Sequence, residues 1–332
     1  MTRVLVTGGG GFLGSHVVAA LDVHPGVELV VCGDVREPQH PRDGVLYERA
    51  DVTDASALTP ILQRHRIDTV VHLASIVNPG RDSDVAMEYR VDVDGSRHVL
   101  EACVAAGVRR VVVSSSGAAY GYHPDNPEWL RESDPVRGND EFPYSRHKRL
   151  VEEMLAAYRS SNPELEQVVF RIGTILGPNV ANQITALWDG SRILAIRGSE
   201  SPFVFIWVDD VVGAMVRAVT GGPAGIYNVA GDGKLTVTQI AGRLGKPVFT
   251  IGPRALGIAL RVGHALRLTV YGPEQVRFLQ YRPVLANERL KKVFGYTPTK
   301  TSAQAFDAYL EARRAREAAA AAASTSPTRA RS

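Results

Sequence analysis

Five short runs in the first half of the chain are apolar and largely β-branched at consecutive positions: Arg3–Thr7, Glu28–Gly33, Thr69–Leu73, Arg110–Ser114 and Gln167–Arg171. A strand with one wet face alternates apolar and polar side chains, whereas a strand buried on both faces does not. Between these runs the helical pattern returns, at Ser15–Leu21, Ser56–Arg64, Ser96–Ala106 and Tyr144–Ser160. Strands buried on both faces and separated by helices call for right-handed βαβ units. They predict an α/β fold, a Rossmann-type doubly wound parallel sheet. After residue 172 the rhythm loosens into short, Gly- and Pro-broken segments. The expected division is 1–172 for a dinucleotide-binding domain, with some later segments returning to it, and 173–312 for a smaller C-terminal substrate lobe. Residues 313–332 read as a frayed helix and disordered tail. In the lobe we expect helices over 178–189, 208–219, 236–244 (capped by Thr236) and 255–268, and a strand over 203–208. The helix over 255–268 reads as an amphipathic helix of the lobe rather than one lying on a membrane surface.

A chain of 332 residues, 45% of them hydrophobic, can bury a core without staples. Its two cysteines, Cys32 and Cys103, exclude a disulfide scaffold and a multi-cysteine metal site, and read as small core residues. No metal is expected. A dispersed net charge of +3 gives no argument for nucleic acid. No run of about 18 apolar residues suggests a membrane span. Glycines break the apolar start too early for a signal peptide, so the expected location is cytoplasmic.

Gly8, Gly11 and Gly14 follow the first strand and open the first helix with the spacing G-x-x-G-x-x-G. Glycines there permit a tight turn and let a pyrophosphate approach the amides of Phe12, Leu13 and Gly14 at a helix N-terminus. Asp34 ends the second strand, where a carboxylate can bind both adenosine ribose hydroxyls and repel a 2′-phosphate. NAD is therefore favoured over NADP. Arg36, two residues on, is the group that would welcome the phosphate.

Tyr144 and Lys148 stand four residues apart, on one face of a helix. The ammonium is expected to lower the phenol's pKa so that it exchanges a proton near neutrality. Ser116, at the carboxyl end of the fourth run, is placed to hold the substrate oxygen that Tyr144 protonates or deprotonates. These residues, with Asp51–Thr53, His72–Ser75, Arg171–Pro178, Trp207–Asp210, Tyr227–Gly231 and Phe294–Pro298, occur in an order that resembles the extended short-chain dehydrogenase/reductases. The branch resembled is the NAD-dependent epimerase/dehydratase family, of nucleotide-sugar 4-epimerase type, from Thr2 to about residue 310. The resemblance implies that Asp51 and Val52 sit beside adenine and that Leu73, Ala74 and Ser75 follow the pyrophosphate and ribose. It implies that Tyr144 and Lys148 also hold the nicotinamide ribose, that Ser114, Ile172 and Thr174 line the nicotinamide end, and that Ser116, Tyr144 and Lys148 are catalytic. It further implies a homodimer through the helices around Ser96–Ala106 and Tyr144–Tyr158.

Three departures bear on the substrate. Asp92 stands where the family often has Asn, and Thr174 where sugar-nucleotide enzymes usually have Asn. Phe203 takes the place of an arginine that grips a diphosphate. Arg192, Arg197 or Arg282 are the substitutes on offer. The substrate side is assigned to Ser116, Thr174, Asn179, Phe203 and Arg282, and His147 reads as a helix-surface residue. The leading expectation is an NAD-dependent epimerase or dehydratase of a nucleotide sugar. The alternatives are a dehydrogenase or reductase of an apolar alcohol or ketone, and a cofactor-binding regulator without turnover.

Overall fold

The structure is a computed structural model that describes residues 1–38, 40–77, 84–180, 182–269 and 271–325. Its strands are β1 (Thr2–Thr7), β2 (Val27–Asp34), β3 (Val45–Arg49), β4 (Thr69–His72), β5 (Arg110–Ser116), β6 (Glu166–Ile172), β7 (Thr174–Leu176), β8 (Ile193–Ile196), β9 (Phe205–Trp207), β10 (Gly225–Val229) and β11 (Val248–Ile251). Its helices are α1 (Phe12–Asp22), α2 (Leu58–Arg64), α3 (Val85–Tyr89), α4 (Gly95–Ala106), α5 (Pro143–Ser161), α6 (Gln183–Ala186), α7 (Val208–Thr220), α8 (Val237–Leu244), α9 (Pro253–Ala265), α10 (Gln275–Gln280) and α11 (Ser302–Thr325). The tail expected at the end of the chain lies, from 326 on, outside the described residues. Seven strands form one sheet in the order β10-β6-β5-β4-β1-β2-β3. Every pairing in it is parallel.

The continuous apolar runs are explained by the two cores. In β1, Val4 and Val6 join α1, α7 and the later strands on one side of the sheet. Leu5 points into the opposite layer with α2, α4 and α5. Alternate residues of a strand serve opposite faces, so two filled faces leave no polar position. Helix boundaries follow their caps. Pro143 opens α5 with φ already set. Thr236 and Gln239 form a capping box at α8. Gly107 ends α4 in the left-handed region at φ +68.

Strand β1 has β2 on one side and β4 on the other. The chain reverses its winding direction there, and the loops leaving the carboxyl ends of β1 and β4 diverge into a crevice. The fold thereby sets the Gly8–Gly14 loop opposite the loop Leu73–Ser75.

One expected element is corrected, and two strands join the sheet that the apolar runs did not announce. The helix over 178–189 shrinks to α6, because Asn182 and Thr185 form a capping box that starts it at Gln183. Strand β3, with its mixed sequence Val45-Leu46-Tyr47-Glu48-Arg49, is an edge strand held by its pairing with β2. Strand β10 contains Gly225 and Asn228, poor strand formers, and exists through β6. Asn228 is satisfied there, donating to the carbonyls of Leu130 and Ala286 and accepting from the Tyr120 hydroxyl.

Candidate active site

Gly8 adopts φ +69, and a Cβ there would lie 2.7 Å from the Ala74 nitrogen. A Cβ on Gly14 would lie 2.2 Å from the Gly8 carbonyl oxygen. Only glycine lets the turn, the first coil of α1 and the Leu73–Ser75 loop close on one another. Helix α1 begins at Gly11 with no side chain capping it among the described residues. The amides of Phe12, Leu13 and Gly14 are thus left for an anion. The Asp34 carboxylate lies at the far side of this cradle, accepting the amides of Gly10 (2.9 Å) and Arg36 (3.0 Å). The exposed Arg36 side chain leans back on the same carboxylate at 3.4 Å. Asp51 accepts from the amide and hydroxyl of Thr53, which shapes the turn after β3. Val52 is buried against Gly95. Glycine cradle, uncapped helix start and terminal carboxylate fit a dinucleotide.

On the other side of the crevice, Ser116 ends β5 and its hydroxyl accepts the Ala118 amide. The Tyr144 phenol faces the same hydroxyl, which draws its pKa down. Lys148, one turn along α5, donates to the Ser114 carbonyl at 3.0 Å, and its Nζ lies 5.4 Å from the centroid of the Tyr144 ring. Helix α5 is pinned by Glu152, which accepts from Ser115 (2.5 Å) and takes a forked contact from Arg171 (2.6–3.0 Å). The three candidate groups therefore come together. Their electrostatics differ from expectation. Burial pushes the phenol up to about 12, with the Ser116 hydroxyl opposing it. Burial also lowers the ammonium of Lys148, against the pull of Asp92 and Glu152.

His147 is not a surface residue. It is buried, and its Nδ1 meets the Asp92 carboxylate at 3.0 Å, both side chains 1% exposed. Asp92 lies in a π turn, Arg90–Asp94, between α3 and α4. It also accepts from the Ser75 hydroxyl (2.8 Å) and the Ile76 amide (3.0 Å). Three donors converge on one group. A carboxylate can accept all three, while the amide of an Asn would turn an N–H toward one of them unless the imidazole changed tautomer. The pair joins the loop after β4 to the helix bearing Tyr144 and Lys148. Spacing alone did not reveal it. The only signal was Asp92 standing at an Asn position in a sequence that also has His147.

Burial alone would raise the Asp92 carboxyl, but the His147 hydrogen bond and the charge of Lys148 hold it below its ordinary value. A depressed carboxylate stabilises the fold fully above its unfolded pKa near 4, and that contribution is lost as pH falls through the lower native value. His147→Ala is expected to cost about 3–5 kcal/mol near neutrality. The deficit should shrink below about pH 4. Urea unfolding at both pH values checks this, and an unchanged midpoint at neutrality would refute it.

His72 extends the network. Ser96 donates to the Asp92 carbonyl, so its oxygen accepts the His72 Nε2 proton (3.0 Å), and Nδ1 accepts from Thr7 (2.7 Å). Burial lowers this imidazole to about 3, so it stays neutral.

Phe203 is buried and stacked on Phe205 at 5.7 Å. Arg192 and Arg197 are exposed. Arg282 instead places its guanidinium 3.8 Å from the Phe203 ring centroid and 4.9 Å from that of Phe278. None of its three side-chain nitrogens has a hydrogen-bond partner among the described residues, although all are buried. Burial lowers it to about 9. Phe278 packs with Tyr122 and Phe142, and Tyr144 lies against the same aromatic cluster. Thr174 starts β7 next to β9, Ile172 ends β6, and Asn179 is exposed in the turn before α6. No cluster of metal-ligating side chains occurs among the described residues.

A seven-stranded parallel sheet with a glycine cradle at its switch point is a Rossmann-like α/β fold, and Ser116, Tyr144 and Lys148 lie together beside that cradle. Residues 4–230 match the profile of the NAD dependent epimerase/dehydratase family, and the chain belongs to that family. It is accordingly an enzyme with NAD as its cofactor. A UDP-glucose 4-epimerase of Thermus thermophilus, solved with NAD, is similar at 26% identity and a TM-score of 0.71, covering 94% of this chain and 99% of that one. MoeE5, solved with UDP-glucuronic acid and NAD, is similar at 25% identity and a TM-score of 0.72, covering 95% and 99%. A 3-diazoavenalumate denitrifying reductase of a Streptomyces species is 30% identical over 313 residues, 90% of this chain and 97% of that protein.

Proposed function

We propose that the protein oxidises a secondary hydroxyl of a nucleotide sugar and then returns the hydride to the sugar, as an epimerase or dehydratase of UDP-glucose 4-epimerase type. The observation that carries this reading is Arg282, a buried cation without a partner beside the aromatic cluster that borders Tyr144. A buried unpaired charge is costly, and an anionic ligand removes the cost through charge-assisted hydrogen bonds. It supplies from another part of the chain the positive charge missing at Phe203.

In this reading the amides after Gly11 take the pyrophosphate of NAD, and Asp34 takes its adenosine ribose hydroxyls. Asp51, Val52, Leu73, Ala74 and Ser75 flank the adenosine half. Ser114, Lys148, Ile172 and Thr174 flank the nicotinamide half. Bound NAD supplies a reversible hydride acceptor. Tyr144 Oη takes the proton of the substrate hydroxyl, Ser116 Oγ holds that oxygen, and the Lys148 ammonium favours the phenolate. In an epimerase the same phenol returns the proton after the sugar has offered its other face. Thr174, Asn179 and Phe203 shape the sugar side, with Arg282 on the diphosphate.

Tyr122, Phe142 and Phe278, packed beside Tyr144, favour a second reading, reduction of an apolar ketone. Incubation with UDP-glucose or UDP-galactose separates the two. Interconversion without net NADH is expected. NADH accumulating with a free alcohol, and no change in either sugar, would replace the first reading by the second.

A further inference from the structure

The helix α9 leaves most of its surface uncovered. Leu256 is its one buried side chain, and it packs on α10 through that side, where a Cβ on Gly257 would meet Val276 at 3.9 Å. The opposite face carries Ile258 (63% exposed) and Val262 (52%), continued by the C-cap residue Leu266 (63%) and then Leu268 (79%). Positions 258, 262 and 266 are one turn apart and make a single apolar stripe. Arg254, Arg261 and His264 are exposed along its side, and Arg267 follows the helix. No Asp or Glu occurs between Pro253 and Pro273. No ion pair engages these three arginines among the described residues.

We propose that α9 and the Leu268 that follows it dock the protein on an anionic lipid surface, in place of the internal lobe helix that the sequence pattern suggested. The inference is independent of the substrate reading. An apolar stripe edged by arginines and free of acids suits the boundary between acyl chains and negative headgroups. The arginine stems lie along apolar surface while their heads meet phosphate. A second copy suits the face poorly. A two-fold contact sets a patch against itself, and here it would bring like-charged arginines together. A partner protein would need an apolar groove rimmed by acids, and it is tested below.

The test uses the full chain with NAD bound, mixed with vesicles of phosphatidylcholine alone or with about one-third phosphatidylglycerol. Co-sedimentation with the phosphatidylglycerol vesicles is expected at low salt, falling at least tenfold at about 0.3 M salt. Arg261→Ala should weaken binding about fivefold, since each cation near such a surface contributes roughly 1 kcal/mol. Val262→Asp should abolish binding while leaving NAD affinity unchanged, because its side chain lies on the exposed side of α9, outside the glycine cradle. Three results overturn the proposal. They are no binding to phosphatidylglycerol vesicles, equal binding to both vesicle types at both salts, and an oligomer or acidic-protein complex that Val262→Asp dissociates while vesicles bind neither variant.

Discussion

Tyr144→Phe is expected to cut kcat by about 10²–10⁴ while NAD binding weakens only about fivefold, because Lys148 remains for the nicotinamide ribose and only the proton-carrying oxygen goes. The phenol faces Ser116 and lies beside Lys148 in the crevice. Phe keeps the aromatic packing against Tyr122 and Phe142, so folding should be preserved. NAD titration by fluorescence together with a turnover assay separates the two effects. Unchanged turnover would remove the acid–base role from Tyr144. The pH dependence follows from burial, which pushes the phenol up to about 12. A base must be deprotonated to act, so hydroxyl oxidation should rise by up to tenfold per pH unit below the phenol's working pKa. The half-reaction that consumes a proton should run the other way.

Arg282→Leu should separate stability from substrate binding more sharply than any other substitution. The guanidinium is buried without a partner, and burial lowers it to about 9. A base whose native pKa lies below its unfolded value destabilises the fold fully below the native pKa, and the penalty fades as pH rises toward the unfolded value. Contacts with Phe203 and Phe278 offset part of it. Leucine removes the charge and fills much of the space, with an expected gain of about 1–3 kcal/mol at pH 7 and about 1–4 °C in melting temperature. Binding of an anionic substrate should weaken by roughly 10²-fold, for one or two charge-assisted hydrogen bonds at about 1.5–3 kcal/mol each. Calorimetry on the free protein and KM for UDP-glucose read the two effects. A destabilised variant with unchanged KM would make Arg282 a packing residue and leave the apolar-ketone reading in front.

The cradle was legible because its physics is local. Gly8, Gly11 and Gly14 lie within seven residues, and each responds to a turn made by its neighbours. Tyr144 and Lys148 are set by one helix, and Ser116 by a strand end. The burial of His147 was hidden for the complementary reason. On a helical wheel it belongs to α5 alone, and the wheel does not show that α3 and its π turn cover that side. Its partner Asp92 is 55 residues away. The pKa of Tyr144 was hidden likewise. Spacing shows a lysine one turn away, but not that the lysine would spend a hydrogen bond on the Ser114 carbonyl or that burial would outweigh it.

From the sequence alone came the parallel sheet, the glycine loop after its first strand, and the candidates Asp34, Ser116, Tyr144 and Lys148. Periodicity, chain turns and residue spacing act within a few residues and survive without knowledge of the fold. Only the tertiary structure decided that Arg282, not Arg192 or Arg197, is the buried cation over Phe203. It alone made edge strands of Val45–Arg49 and Gly225–Val229, closed Asp92 on His147 and left the outer side of α9 bare. Each of these depends on which distant segments share a layer, and burial, charge pairing and strand addition take their energy from neighbours brought together by the folded chain.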